Sequence, residues 1–98
     1  MPNFAPGPLG ANSALNITAA TVLKATPGAL YVISVITAGS TAGAAYDATS
    51  TTGNSAADQV FVIPANAAAG SLYVLNWHCQ NGIVIAPGTG GTLAVLFV

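Results

Sequence analysis

From Leu15 onward the chain alternates short apolar runs with clusters of turn residues. No stretch holds the three-to-four-residue apolar spacing of an amphipathic helix for any useful length. Leu15–Lys24 is rich in Ile, Thr and Val and reads as a strand. Thr26-Pro27-Gly28-Ala29 follows, with Pro and then Gly at the centre of an expected type II turn. Leu30–Ala38 is a second strand, and the two are expected to form a hairpin. Further strands are predicted over Ala42–Asp47, Gln59–Ile63, Ser71–Cys79, Ile83–Ala86 and Thr92–Val98. Residues 48–57 are small and polar and read as a loop. Pro64 stops the fourth strand. Residues 65–69 hold at most a turn of helix. Asn81-Gly82 is the strongest short hairpin signal in the chain, because both residues tolerate positive φ. Pro87-Gly88 and Gly90-Gly91 turn the chain into its last strand.

Seven short strands separated by turn signals predict an all-β fold, an antiparallel sandwich or barrel, with an eight-stranded jelly roll as the runner-up. Residues 15–98 form a single β domain on this reading. Residues 1–14 contain three of the six prolines, Pro2, Pro6 and Pro8, and read as an extended Pro/Gly-rich arm. The arm carries Phe4 and Leu9, two apolar anchors that either trail from the domain or dock on a neighbouring subunit.

Several strands are apolar on both faces. In Leu30–Ile36 strict alternation puts Leu30, Val32 and Ile36 on one side and Tyr31, Ile33 and Val35 on the other. In the strand ending at Cys79, Leu72 and Val74 oppose Tyr73, Leu75 and Trp77. In the last strand Leu93, Val95 and Phe97 oppose Ala94, Leu96 and Val98. A single small sandwich buries one face of each strand, so the other face calls for a partner. The expectation is an obligate homo-oligomer, a dimer or trimer, whose interface draws on Phe4, Leu9, Tyr31, Tyr73, Trp77, Leu96 and Val98.

Charge strengthens this picture. Of 98 residues only Lys24, Asp47 and Asp58 are charged, 3% against about 25% in an ordinary soluble domain. A monomer of this size exposes about 5,100 Å², or about 1,700 Å² per charge. Little electrostatic repulsion keeps such surfaces apart. One lysine supplies no basic patch, so phosphate-driven nucleic-acid binding is excluded. One His, one Cys and two Asp supply neither a metal centre nor a catalytic set, so no catalytic, cofactor-binding or metal-ligating residues are assigned. No apolar run approaches the length of a membrane-spanning helix, and the N-terminus lacks the features of a secretory signal. The sequon Asn16-Ile17-Thr18 is read as a chance occurrence.

The remaining candidate chemistry is sparse. His78 and Cys79 are consecutive on a strand, point to opposite faces and make no dyad. Trp77, Tyr73 and Tyr31 are candidates for a sugar-stacking platform or for interface aromatics. Lys24 and Asp47 are candidates for a register-fixing ion pair, and Asp58 for a bond to its own backbone. Alanine, at 20 residues, favours close approach of sheets and subunits over a sculpted pocket.

Several runs resemble those of small structural proteins of tailed-phage and prophage virions. They are Ile17–Gly28, Val35–Ser40, Ala44–Asp47, Val62–Ala65 and Asn81–Gly90, together spanning about residues 15–98. The resemblance rests on turn residues and small residues. It implies a non-enzymatic virion protein, made in the bacterial cytoplasm. Such a protein is either a capsid decoration (cement) protein bound to the phage major capsid protein, or a fibre, tail or host-recognition module that binds carbohydrate.

Overall fold

The computed structural model of the chain describes residues 11–98. Its regular structure is strand throughout: β1 (Asn12–Ile17), β2 (Thr21–Lys24), β3 (Gly28–Thr37), β4 (Gly43–Tyr46), β5 (Gln59–Ile63), β6 (Leu72–Cys79), β7 (Ile83–Ala86) and β8 (Thr92–Phe97). They form two four-stranded sheets, ordered β1-β8-β3-β6 and β2-β7-β4-β5, with every neighbour antiparallel. The core lies between them. Leu30, Ile33, Leu93 and Val95 come from the first sheet and Ala45, Ile63, Ile83 and Ile85 from the second. The all-β sandwich expected from the alternating pattern is therefore present, with eight strands in place of seven.

The additional strand comes from a break in Leu15–Lys24. Asn16 takes a left-handed φ of 56°, which an Asn tolerates better than most residues, and the register slips between Ala14 and Ile17. Residues 18–20 then carry the chain from the first sheet to the second. β1 begins at Asn12, so residues 12–14, assigned above to the arm, belong to the sheet. Phe4 and Leu9 lie outside the described residues.

Both expected hairpins are replaced by crossings between sheets. β2 pairs with β7, whereas β3 pairs with β6 and β8, so the strands flanking Pro27-Gly28 never meet as neighbours. Gly28 has no positive φ, as the central position of a type II turn requires, and starts β3 instead. It is glycine for lack of room: a Cβ would run into the carbonyl oxygen of Val98 and crowd the Lys24 side chain. Likewise Asn81-Gly82 links β6 in one sheet to β7 in the other, and neither residue has positive φ. A Cβ at Gly82 would strike the carbonyl oxygens of Ala48 and Lys24. The turn signals mark the chain reversals correctly but not what the reversals connect. Only β4 and β5 are consecutive strands paired as neighbours, through residues 47–58.

The first sheet also departs from simple alternation. Leu30 faces Phe97 and Val32 faces Leu96, leaving Tyr31 as an extra residue against β8. On the other side Leu30 faces Trp77 and Val32 faces Val74, with Asn76 at a φ of 49° in the bulged β6. The bulge moves Leu30 to the same side as Ile33 and Val35, and all three are buried. The grouping of Leu30 with Val32 and Ile36 is corrected accordingly: Val32 points outward, and Ile36 lies exposed at a second register shift between Val35 and Thr37.

Candidate interaction surface

The outer face of the β1-β8-β3-β6 sheet is apolar and open. Leu15 is 74% exposed, Val74 68%, Leu72 65% and Ile36 53%. Cross-strand pairs place Leu72 and Val74 on one surface, and the hollow described below adds Leu15: Val32 beside both Val74 and Leu96, Ser34 beside Leu72 and Ala94, Ser13 beside Leu96. Leu72 and Val74 stand as a ridge on the edge strand β6. Across the sheet a shallow hollow of about 140 Å³ is lined by Ser13, Leu15, Val32, Ser34, Ala94 and Leu96. It exists because short side chains on three adjacent strands lie between longer ones. The inward faces of β6 and β8 are those read from the sequence: Tyr73 and Leu75 pack on the core, as do Leu93, Val95 and Phe97.

Of the predicted interface residues, Leu96 lies in this hollow. Val98 is secured by a reciprocal backbone pair, Ala29 N donating to Val98 O at 2.8 Å and Val98 N to Ala29 O at 2.9 Å. Tyr31 is half-buried at the bulge. Tyr73 turns inward, its ring 5.0 Å from that of Phe61 on β5, so this pair bridges the two sheets at one edge of the sandwich. The structure therefore does not assemble Tyr31, Tyr73 and Trp77 into one platform. Leu15, Leu72, Val74 and Ile36 dominate the exposed surface but were not named as site residues. The signal for Leu72 and Val74 was present in the alternation of β6. That for Leu15 was hidden by treating Leu15–Lys24 as one strand.

Trp77 is 52% exposed and sits at the same edge, past the Asn76 bulge. It borders an open cleft of about 240 Å³ with Asp47, Asp58, Gln59, Val60 and Asn81. Asp47 is committed to the backbone. Its carboxylate accepts from Gln80 N at 2.9 Å, Asn81 N at 2.7 Å and Gly82 N at 3.3 Å. Partial burial opposes ionisation of this carboxyl. The three N–H donors and the nearby His78 outweigh that penalty and hold its pKa below the ordinary carboxylate value. These bonds, and not an ion pair with Lys24, fix the 80–82 crossing. The Lys24 side chain lies over Gly28. Asp58 accepts from Ser55 N at 2.9 Å, the local backbone bond expected of it.

His78 is exposed and Cys79 fully buried on the opposite side of β6. Burial, with the Asp47 charge, pushes the Cys79 thiol up to about 11, so it stays protonated at neutral pH. Among the described residues no three His, Cys, Asp or Glu side chains gather in a group able to hold a metal ion. No helix among them is long and apolar enough to cross a membrane. No protein-family model, curated protein or solved structure matches the chain.

Proposed function

We propose that this chain is a non-enzymatic assembly protein of a phage particle, acting as a capsid decoration protein on the head. The observation that carries the reading is the uncharged apolar outer face of the β1-β8-β3-β6 sheet. A chain with three charges and four large aliphatic side chains standing in solvent on one sheet is built to be covered. The strand orders β1-β8-β3-β6 and β2-β7-β4-β5 support reading this two-sheet sandwich as a jelly roll. That architecture recurs in viral capsid and lectin domains, a likeness of fold alone. The resemblance of residues 15–98 to phage virion proteins supports the same reading. Many weak apolar contacts repeated over a symmetric shell give such a protein its hold through avidity. On this reading Phe4 and Leu9, in the segment preceding β1, tether the sandwich to the major capsid protein.

The test is occupancy on phage heads. Full-length protein added to undecorated heads saturates a fixed number of sites, and protein lacking residues 1–10 loses binding while keeping its far-ultraviolet β spectrum. Unchanged occupancy of the truncated protein would sink the tether. Absence of any binding by the full chain would sink the decoration role.

The cleft beside Trp77 favours a second reading, a fibre or host-recognition module that binds carbohydrate. An exposed indole beside Gln59, Asn81 and Asp58 offers a stacking face with polar partners at its rim. Trp77 is the only tryptophan, so its emission reports directly on this cleft. A saturable shift with host glycans, lost in Trp77→Ala, would move the assignment from cement to receptor binding.

A further inference from the structure

We infer that the outer face of the β1-β8-β3-β6 sheet is covered by the same face of a second copy of this chain. The two sheets pack face to face about a two-fold axis that runs roughly parallel to the strands. The inference shares with the decoration reading only the apolar face, and it stands or falls separately from binding to a particle.

The distribution of charge selects a second copy as occupant. None of the four strands contains a charged residue. Lys24 ends β2, Asp47 follows β4 and Asp58 precedes β5, so all three charges belong to the other sheet and its loops. His78, exposed toward the end of β6 away from Leu72, is the one imidazole on these strands; away from it, two copies meeting through this face bury no unpaired charge and bring no like charges together. A charged partner, by contrast, would find no complementary group on it.

Relief selects the axis. The Leu72–Val74 ridge is on β6, at one edge of the sheet. The hollow lies toward the other edge, centred on β8 between Leu15 and Val32. A two-fold axis along the strands reverses the lateral order, setting each copy's β6 ridge over the β1–β8 half of the other. Each ridge then enters the opposite hollow. An in-plane axis across the strands would stack ridge on ridge. The arrangement is isologous and closed, so it ends at a dimer. Its crossing angle is that of aligned sheets, about 30°.

Area sets the strength. Four strands about 4.8 Å apart and about 25 Å long give a flat footprint of about 500 Å². Side-chain relief brings this near the lower bound for a specific interface, about 600 Å² per partner. An interface of this small size is expected to associate reversibly with concentration.

Sedimentation equilibrium of the full chain across micromolar concentrations tests this. The expected mass rises from 9.6 kDa toward twice that value as concentration increases. Val74→Lys weakens association by about 30-fold or more. Val62→Lys, a comparably exposed valine on the outer side of the second sheet, leaves it unchanged. Leu72→Ser, which keeps the strand neutral, weakens it in the same direction and guards against misfolding of the lysine variant. A monomer at every concentration overturns the inference, as does a dimer broken by Val62→Lys and indifferent to Val74→Lys. Ser13 and Val74 share one cross-strand row, so mixed Ser13→Cys and Val74→Cys chains are expected to cross-link in preference to Val74→Cys with itself; the reverse preference overturns the axis. A dimer that ignores phage heads leaves this inference intact and removes the decoration role. A monomer that decorates heads does the opposite.

Discussion

The two sheets treat their outer faces differently, and their inner strands show how. β7 lies inside the second sheet and is buried on both sides: Ile83 and Ile85 face the core, while Val84 points outward and is still only 1% exposed. Val84 is flanked across the sheet by Val22 and Tyr46. β8 lies inside the first sheet and is buried on one side only. Leu93 and Val95 are buried, whereas Ala94 and Leu96 remain partly open beneath the exposed Leu15 and Val74. Chemically the two strands are alike, short and aliphatic. The difference lies in their neighbours, and it separates burial that the chain completes within itself from burial left to another molecule.

The largest effect should come from exchanging charge between these strands. Val84→Asp buries a carboxylate with no partner and is expected to destabilise the fold by about 4 kcal/mol or more, enough to unfold a domain of this size. Leu96→Asp places the same charge on the open face of β8. It should cost the fold about 1 kcal/mol or less while abolishing self-association. Thermal melts and sedimentation of the two variants give the comparison directly. Equal losses of melting temperature would mean that the two outer faces are equivalent after all.

Next in size are the close approaches at the sheet crossings. Gly82→Ala drives a methyl group into the carbonyls of Ala48 and Lys24, and Gly28→Ala drives one into Val98. Each is expected to cost about 2–3 kcal/mol, the range for overpacking. Gly53→Ala serves as a contrast. Its Cβ would meet nothing within 4 Å, although its φ of 78° still disfavours alanine. Denaturant unfolding midpoints should rank Gly53→Ala as the mildest of the three. If it is as damaging as Gly82→Ala, backbone conformation and not crowding governs these positions.

These glycines also show what a sequence of this kind conveys. Local periodicity placed β5 and β7 to the residue and sorted the inner and outer sides of β8, and of β6 as far as Leu75, because side chains on an unbroken strand alternate by geometry. It failed at Tyr31, where an extra residue reverses the alternation, at the Asn76 bulge, beyond which Trp77 stands in solvent, and at Asn16, where a left-handed asparagine divides one apparent strand into two. Pro27-Gly28 and Asn81-Gly82 were read as hairpin turns because they carry hairpin chemistry. Which strands flank a turn is decided by pairings such as β1 with β8, between residues more than 75 positions apart. The Asp47 cap was equally illegible, since its three donors lie 33 to 35 residues along the chain. The apolar excess on the strands was legible from composition and alternation, but the sheet that exposes it was not.

A smaller effect is expected at Asp47 itself, the polar counterpart of the apolar first sheet. Asp47→Ala removes the acceptor for Gln80, Asn81 and Gly82 N–H and should cost about 1–2 kcal/mol, since water can reach the freed groups. Association should be unchanged, because Asp47 adjoins the second sheet. A shift in dimer mass in this variant would mean that the 80–82 crossing transmits to the open face.

The smallest and most selective signal is the pH dependence of the same carboxylate. Its pKa in the folded chain lies below the ordinary value, so over that interval the unfolded chain binds the proton more readily. The stability it contributes is fully present above the unfolded carboxylate pKa of about 3.9. It is lost as pH falls through the folded value. Asp47→Asn keeps one acceptor oxygen but has no charge to titrate, so its stability should be flatter across that window. The two unfolding curves should therefore be furthest apart near neutral pH and converge on acidification. Curves that stay parallel would show that the charge on Asp47 adds nothing to the hydrogen bonds. The crossing would then be held by the geometry of its hydrogen bonds alone.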